Sequence, residues 1–432
     1  MKQPPVPSYY RATATPYAPY APLQDRHETR IAIVGGGYAG LNIALGLAER
    51  GVRDVVLLER EQIGFGASGR NGGFVFAGYS LGEQALLKQR GERQARALFG
   101  LTTTAVQRIR ERVAKYAIAC DAVDEGVIWA NWFRDPAVLR RRQRLLAEHY
   151  DTHWAWLPQD ALRERVRSRR YADGLYERNA LHLHPLNYVI GLAAAAAGLG
   201  VRIHEDSEVR RLRRDDAHWR LDTPHGELRA EQVVLACGGY LAGLDRRIDR
   251  SVLPIATYVM TTEPLGARLD ECLHTRAAIY DSRFAFDYYR PLPDTRLLWG
   301  GRIYPQPSAA GGTAAVAEGP VARVPATRWR TDRTCLVGPD ELRAPPDAAT
   351  RQRRSRPVVG AGLRRPRPCA DLCRRRTPGR RHCRGRAELA AVRRLRAGQR
   401  SQAIRPLGRS GRLLVAARAR LVQDTTGRMS TA

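Results

Sequence analysis

The chain has 432 residues, 44% of them hydrophobic, with a formal net charge of +29. That length suits two or three domains with a sizeable core, and the charge invites a nucleic-acid reading. The charge is unevenly placed: from Tyr304 onward there are 29 Arg, no Lys and 8 acidic residues, so residues 1–303 carry only +8.

The opening residues 1–29, rich in Pro and Tyr, lack the apolar core of a secretory signal and read as an extended arm. A cytoplasmic location is expected. The seven cysteines are scattered and predict no disulfide framework. The longest apolar run, "VIGLAAAAAGLGV", is too short and Gly-broken to span a bilayer.

Arg30–Val34 is a β-branched apolar run, as a buried parallel strand would be. Gly35, Gly37 and Gly40 follow in G-x-G-x-x-G spacing, and Leu41, Ile43, Ala44 and Leu47 continue with helical period. "DVVLLE" is then a second buried strand ending in Glu59. This βαβ pattern is the dinucleotide fingerprint. Gly35 permits the turn, Gly37 lets backbone approach a pyrophosphate, Gly40 lets the helix pack on the strand, and Glu59 accepts from ribose hydroxyls. The motif alone does not choose between NAD, in a Rossmann dehydrogenase, and FAD.

The next stretch, "EQIGFGASGRNGGFV", brings five glycines after the ribose acid, as backbone lying against a flat ligand would need. Here the chain resembles the glycine/D-amino-acid oxidase family of FAD-dependent oxidoreductases, through "GASGRNGG". "HLHPLNYVIGLAAAAAGLGVRIHEDSEV", "AEQVVLACGGYL" and "AIYDSRFAFDYYRPLPDTRLLWGGR" extend the likeness over roughly residues 8–303. The wording within that family is most similar to γ-glutamylputrescine oxidoreductases. The resemblance implies an α/β fold over 30–303. A doubly wound FAD-binding domain is interleaved with an antiparallel-sheet substrate domain. It implies FAD contacts at Gly35, Gly37, Tyr38, Ala39, Gly40, Glu59, Arg60, Ala67, Ser68, Arg70, Asn71, Gly72, Gly73, Val209, Ala236, Cys237 and Gly238. It also implies oxidation of the C–N bond of a small-molecule amine or amino acid, such as γ-glutamylputrescine. Arg283, Tyr288 and Tyr289 are the candidates for substrate contact, with Asp281 and Arg290 nearby. Arg suits a carboxylate and Tyr the wall of an amine site. His182 and His184 lack the further ligands that a metal would need and are expected to pack near the domain junction.

Residues 304–432 contain no Phe and, beyond Tyr304 itself, no Tyr. They cannot bury enough apolar surface to offset their ordering entropy, so a poorly folded tail is expected. Three readings compete. A solvated basic tail could bind phosphates, but it lacks interleaved aromatics, and no specific nucleic acid is expected. Cys369, Cys373, Cys383 and His382 match no zinc spacing. The third reading is a shifted frame. Read one base later, the codons of "CLVGPDE" can give Val-Trp-Ser-Gly-Leu-Met, and those of "VVGAGLRRPRPCADLC" can give WWAQAFGGHGLAPTC. The "WSG" and "FGGHG" expected of the family then reappear. The slip would lie between Tyr304 and Thr313.

Overall fold

The computed structural model describes residues 8–283 and 286–304, together with the backbone of two further strands, Thr331–Arg343 and Leu413–Val415. The fold is mixed α/β, built on two sheets. The first runs in the order Arg202–His204, Val55–Leu58, Asp25–Val34, Gly226–Leu235, His218–Asp222, Arg211–Asp215. Its first four strands are parallel, and the last two fold back antiparallel.

Side-chain alternation explains why the central strands read as unbroken apolar runs. Ile31, Ile33, Val55 and Leu57 face a core shared with helices Tyr38–Glu49 and Pro185–Gly198. Ala32, Val34, Val56 and Leu58 face a second core with Leu23, Leu228 and Val233. A strand covered on both faces needs apolar residues at every position. The first strand starts at Asp25, before the apolar run, because Asp25–Thr29 pair with Gly226–Ala230 while four of those five side chains stay exposed.

The second sheet runs Thr331–Arg343, Val252–Thr262, Leu297–Tyr304, Tyr288–Pro291, Ala278–Asp281, Val127–Ala130, Gly174–Glu177, Ala155–Leu157. It is antiparallel except where Ala278–Asp281 lies parallel to Val127–Ala130. One face, with Ile128, Ile279, Tyr289, Leu297 and Trp299, closes its own core. The other carries Trp129, Tyr280 and Tyr288 and packs on Phe74 of the glycine loop. A two-stranded ribbon, Phe74–Val75 with Leu181–His182, joins that loop to the segment entering the Pro185–Gly198 helix.

The arm does not run simply extended. Ser8 caps a short helix, Tyr9–Ala12, by accepting from the Arg11 amide at 3.2 Å, and Tyr10 is fully buried. The expected poorly folded tail, its proposed frame slip and its Cys/His group lie outside the described residues. The exceptions are Thr331–Arg343, antiparallel to Val252–Thr262, and Leu413–Val415, parallel to Val233–Leu235. Among the described residues no helix is long and apolar enough to cross a membrane.

Candidate functional site

The first cluster forms where the central strand ends. Gly35 turns at φ +113°, and a Cβ there would meet the Ala236 carbonyl oxygen at 2.7 Å. Its amide donates to the Leu58 oxygen at 2.8 Å, which ties the turn to the neighbouring strand. Helix Tyr38–Glu49 starts at Gly37 with no capping side chain of its own and no acid in its first turn, where Ala39 and Gly40 sit. Such an end, with no acid in its first turn to offset the positive dipole, suits an anion. A Cβ on Gly40 would stand 1.9 Å from the Gly35 oxygen, so only glycine lets this helix approach the turn.

Glu59, at the end of the second strand, is half-buried. Its carboxylate accepts from the Gly36 amide at 2.6 Å and the Glu61 amide at 3.0 Å. Burial raises its carboxyl above the ordinary range, against the pull of these two amides. Gly36, which the G-x-G-x-x-G spacing leaves unassigned, is needed here: a Cβ would press on Ile63 and Glu59 at 2.7 and 3.0 Å.

The glycine loop lies against the helix start. The Ser68 hydroxyl accepts from the Tyr38 amide at 3.0 Å, within the short helical turn Ala67–Gly69. Asn71 staples the loop: its amide group donates to the Ala67 and Ser68 carbonyls at 3.1 and 3.0 Å, and its oxygen accepts from the Gly73 amide at 2.8 Å. Gly72 meets the Tyr288 ring, where a Cβ would lie at 2.5 Å. Gly73, at φ +77°, would bring one to 2.1 Å from the Leu183 oxygen.

Arg70 turns back onto its own loop, with its guanidinium 5.1 Å above the Phe65 ring and donating to the Phe65 carbonyl. Arg60 pairs with Glu61 at 3.5 Å. Val209 packs half-buried under the sheet. The Cys237 thiol donates to the Val34 oxygen at 3.5 Å, which is a structural role, and Gly238 turns at φ +57°.

Tyr240 was not singled out by the sequence reading. Its ring covers Gly66, and its hydroxyl is buried without a hydrogen-bond partner among the described residues, in the field of Arg70, Arg60 and Glu59. A buried orphan donor calls for a polar ligand. Together with the acid-free helix start and Glu59, it fits a dinucleotide lying along this groove. The only signal for it in the sequence was an aromatic directly after "CGG".

The second cluster is the aromatic face of the other sheet. Phe76 stacks on Tyr280 (5.4 Å, 4°), and Tyr280 stacks on Trp129 (5.9 Å, 21°). Phe286 bridges Tyr280 and Tyr288, and Tyr288 meets Phe74 edge-on at 5.4 Å. Phe76 and Phe286 are 38% and 37% exposed, so this wall opens to solvent beside the glycine loop. Behind it, Arg142 lies 4.2 Å over Trp129 and pairs with Glu83 at 2.7 Å. Burial pushes the nearby Glu177 carboxyl up to about 7.

The structure separates the three residues expected at the substrate. Tyr288 lies on the aromatic wall. Tyr289, one position on, faces the opposite side and stacks on Trp299 in the core at 4.3 Å. Arg283 is paired with Asp281 at 2.5 Å and with Asp287, and its guanidinium carbon stands 3.6 Å over the Trp132 ring. Its charge is compensated, so it does not stand ready for a substrate carboxylate. His182 lies on the Leu181–His182 strand and His184 at the start of the Pro185–Gly198 helix. His182 accepts from Arg290, and His184 caps the Pro185–Gly198 helix by accepting from the Asn187 amide at 3.1 Å.

A profile of the FAD dependent oxidoreductase (DAO) family matches residues 30–365. The chain is 36% identical over 298 residues to gamma-glutamylputrescine oxidoreductase of Escherichia coli, covering 68% of this chain and 70% of that one. It is 33% identical over 307 residues to the probable oxidoreductase OrdL of Haemophilus influenzae, covering 68% and 69%. Among solved structures, glycine oxidase from Geobacillus kaustophilus superposes with a TM-score of 0.58 at 24% identity, covering 77% of this chain and 89% of that one.

Proposed function

The chain belongs to the DAO family of FAD-dependent oxidoreductases, and from that premise we propose that it oxidises γ-glutamylputrescine or a similar terminal amine at the carbon bearing nitrogen. FAD, when bound, supplies the acceptor for a hydride leaving that carbon, and water then hydrolyses the imine to a carbonyl compound and ammonia. The residues proposed to hold it are Gly35 to Gly40, Glu59, Ala67 to Gly73 and Tyr240. The turn and the helix start face the diphosphate, and Glu59 the ribose.

The observation that carries the substrate reading is the open aromatic wall of Phe76, Tyr280, Phe286 and Tyr288, continuous with Gly72. Rings of this kind cover an aliphatic chain and exclude water. Among the described residues the face of the wall is made of rings, and a neutral amine is the form that gives up hydride. The Arg283 pairing argues against an α-carboxylate anchor at that position and favours an amine over an amino acid.

Anaerobic mixing of the FAD-loaded protein with a panel of diamines, acylated diamines and amino acids tests this. Terminal amines should bleach the oxidised-flavin band, and Phe76→Ala should raise the half-saturating amine concentration about tenfold, one anchor contact's worth. Bleaching by no amine, or by α-amino acids alone, refutes the reading.

We also propose the frame slip between Tyr304 and Thr313. The reappearing family motifs support it, and so does the third of this chain left unmatched by two relatives that themselves retain about 30% unmatched.

A further inference from the structure

Arg290 is 2% exposed, yet among the described residues no carboxylate pairs with it. Its guanidinium is held instead by neutral acceptors. Nε donates to the Gly72 carbonyl at 2.8 Å, Nη2 to the Leu183 carbonyl and the Tyr10 hydroxyl at 3.0 Å each, and Nη1 meets His182 Nδ1 at 3.3 Å. A buried charge is tolerated only when such bonds are complete. The surroundings are arranged for this. Burial and the Arg290 charge lower His182 to about 3 and His184 to about 4, so both rings stay neutral. His182 then accepts from Arg290 and donates its other N–H to the Arg276 carbonyl at 2.7 Å.

One of the four acceptors comes from the N-terminal arm, 280 residues away in sequence. The same arm reaches the far end of the groove. The Tyr17 hydroxyl and Tyr20 amide donate to the Glu205 carboxylate at 2.5 and 2.9 Å, as the Ile63 amide does at 2.6 Å. The Leu23 amide donates to Ser207, whose own amide donates to the Glu59 carbonyl at 2.8 Å. The arm therefore touches the segment bearing Glu59 at one end and, through Arg290, the Gly72 turn at the other.

We propose that residues 8–23 form a strap that fixes both ends of the dinucleotide groove, with Arg290 as the positioning residue that transmits Tyr10 to the Gly72–Gly73 turn. The strap rests on the reading of the glycine loop as the flavin loop, but its coupling to that loop does not require the flavin. Losing the Tyr10 hydroxyl removes one of the four acceptors that hold this buried guanidinium, and the Gly72 carbonyl, which makes the shortest of the remaining bonds, must readjust with it.

Tyr10→Phe removes that oxygen and nothing else. The control is Ile190→Val, which loosens the same apolar cluster without touching Arg290. Hydrogen exchange without FAD is read over residues 70–76. FAD affinity and the absorbance spectrum of bound flavin are read on the loaded protein. Tyr10→Phe should speed exchange over 70–76 severalfold, weaken FAD about tenfold and shift the flavin spectrum. Ile190→Val should change thermal stability while leaving exchange over 70–76 and the spectrum as they were. Arg290→Lys, which keeps the charge but reaches fewer acceptors, should behave like Tyr10→Phe. If exchange over 70–76 is unchanged by Tyr10→Phe and Arg290→Lys, or if Ile190→Val moves it equally, the strap is overturned. If no variant and no parent binds FAD, the exchange result still decides the strap, while the flavin reading fails separately.

Discussion

Gly40→Ala is the substitution whose cost is most directly set by the geometry. The new methyl would stand 1.9 Å from the Gly35 oxygen and 3.1 Å from its carbon. Carbon contacts settle near roughly 3.5 Å, so the helix start must back away from the turn by more than about 1 Å. The obstacle is backbone, itself held by the Gly35 amide on the Leu58 oxygen, and no rotamer relieves it. Alanine gains about 1 kcal/mol of helix propensity over glycine. Overpacking a rigid contact costs about 1–3 kcal/mol and occasionally more, so the clash wins. At roughly 2–4 °C per kcal/mol for a unit of this size, Tm should fall by several degrees. On the proposed placement of FAD, the backing-off also draws the helix amides away from its phosphates, and FAD affinity should drop more than tenfold. Gly37→Ala is the contrast. Its Cβ meets only the Ser68 hydroxyl at 2.7 Å, the end of a side chain that can rotate away. It should lose the Ser68–Tyr38 bond, about 1 kcal/mol, and lower Tm by no more than roughly 2–4 °C. Thermal melts and FAD titration by flavin fluorescence read both variants. A Gly40→Ala protein with parental Tm and FAD affinity would show that the helix does not need this close approach, and the assignment of the turn would fall with it.

Gly37→Val should fold but take up no FAD, read as loss of the bound-flavin spectrum, because its branched side chain enters the space proposed for the pyrophosphate. Glu59→Gln keeps one acceptor of two facing the Gly36 and Glu61 amides, and FAD affinity should fall about tenfold, one charge-assisted bond's worth. Glu177 is raised to about 7 in the folded chain, so folding takes up a proton there. Its contribution is present below the unfolded carboxylate pKa and is lost as pH climbs to about 7, up to about 3 kcal/mol. Tm measured between pH 5 and 8 should therefore decline more steeply in the parent than in Glu177→Gln; parallel profiles would remove Glu177 from the account. Re-encoding the chain one base later after Tyr304 should yield a form that binds FAD more tightly and turns over amine faster than the 432-residue chain, with both purified side by side. Equal or better performance by the 432-residue chain would end the frame-slip proposal.

The glycine turn and its strands were legible in the sequence because everything that makes them is local. A buried parallel strand must be apolar at every position, a helix meeting a strand edge needs glycine at the contact, and Glu59 follows its strand directly. The glycine loop was legible in part for the same reason, since Asn71 bonds to Ala67, Ser68 and Gly73 within four residues, whereas the Ser68 hydroxyl reaches back 30 residues to Tyr38. The substrate side was not. Tyr288 and Tyr289 are equivalent as letters, and only the pairing of Tyr288 with Gly300 and Tyr289 with Trp299 decides which ring meets the glycine loop and which the core. Arg283 read as an open cation until the chain folded Asp281 and Asp287 around it. Phe76, Tyr280 and Phe286 carry no motif and become a wall only when a loop, two strands and their shared face are brought together. The arm shows the limit most plainly. A Pro- and Tyr-rich start has no periodicity to read, and its Tyr10 acquires a role only because a guanidinium 280 residues later takes its hydroxyl as one of four acceptors. Contacts so distant in sequence leave no spacing signal, because the chain between them sets no geometric relation until the sheets have closed.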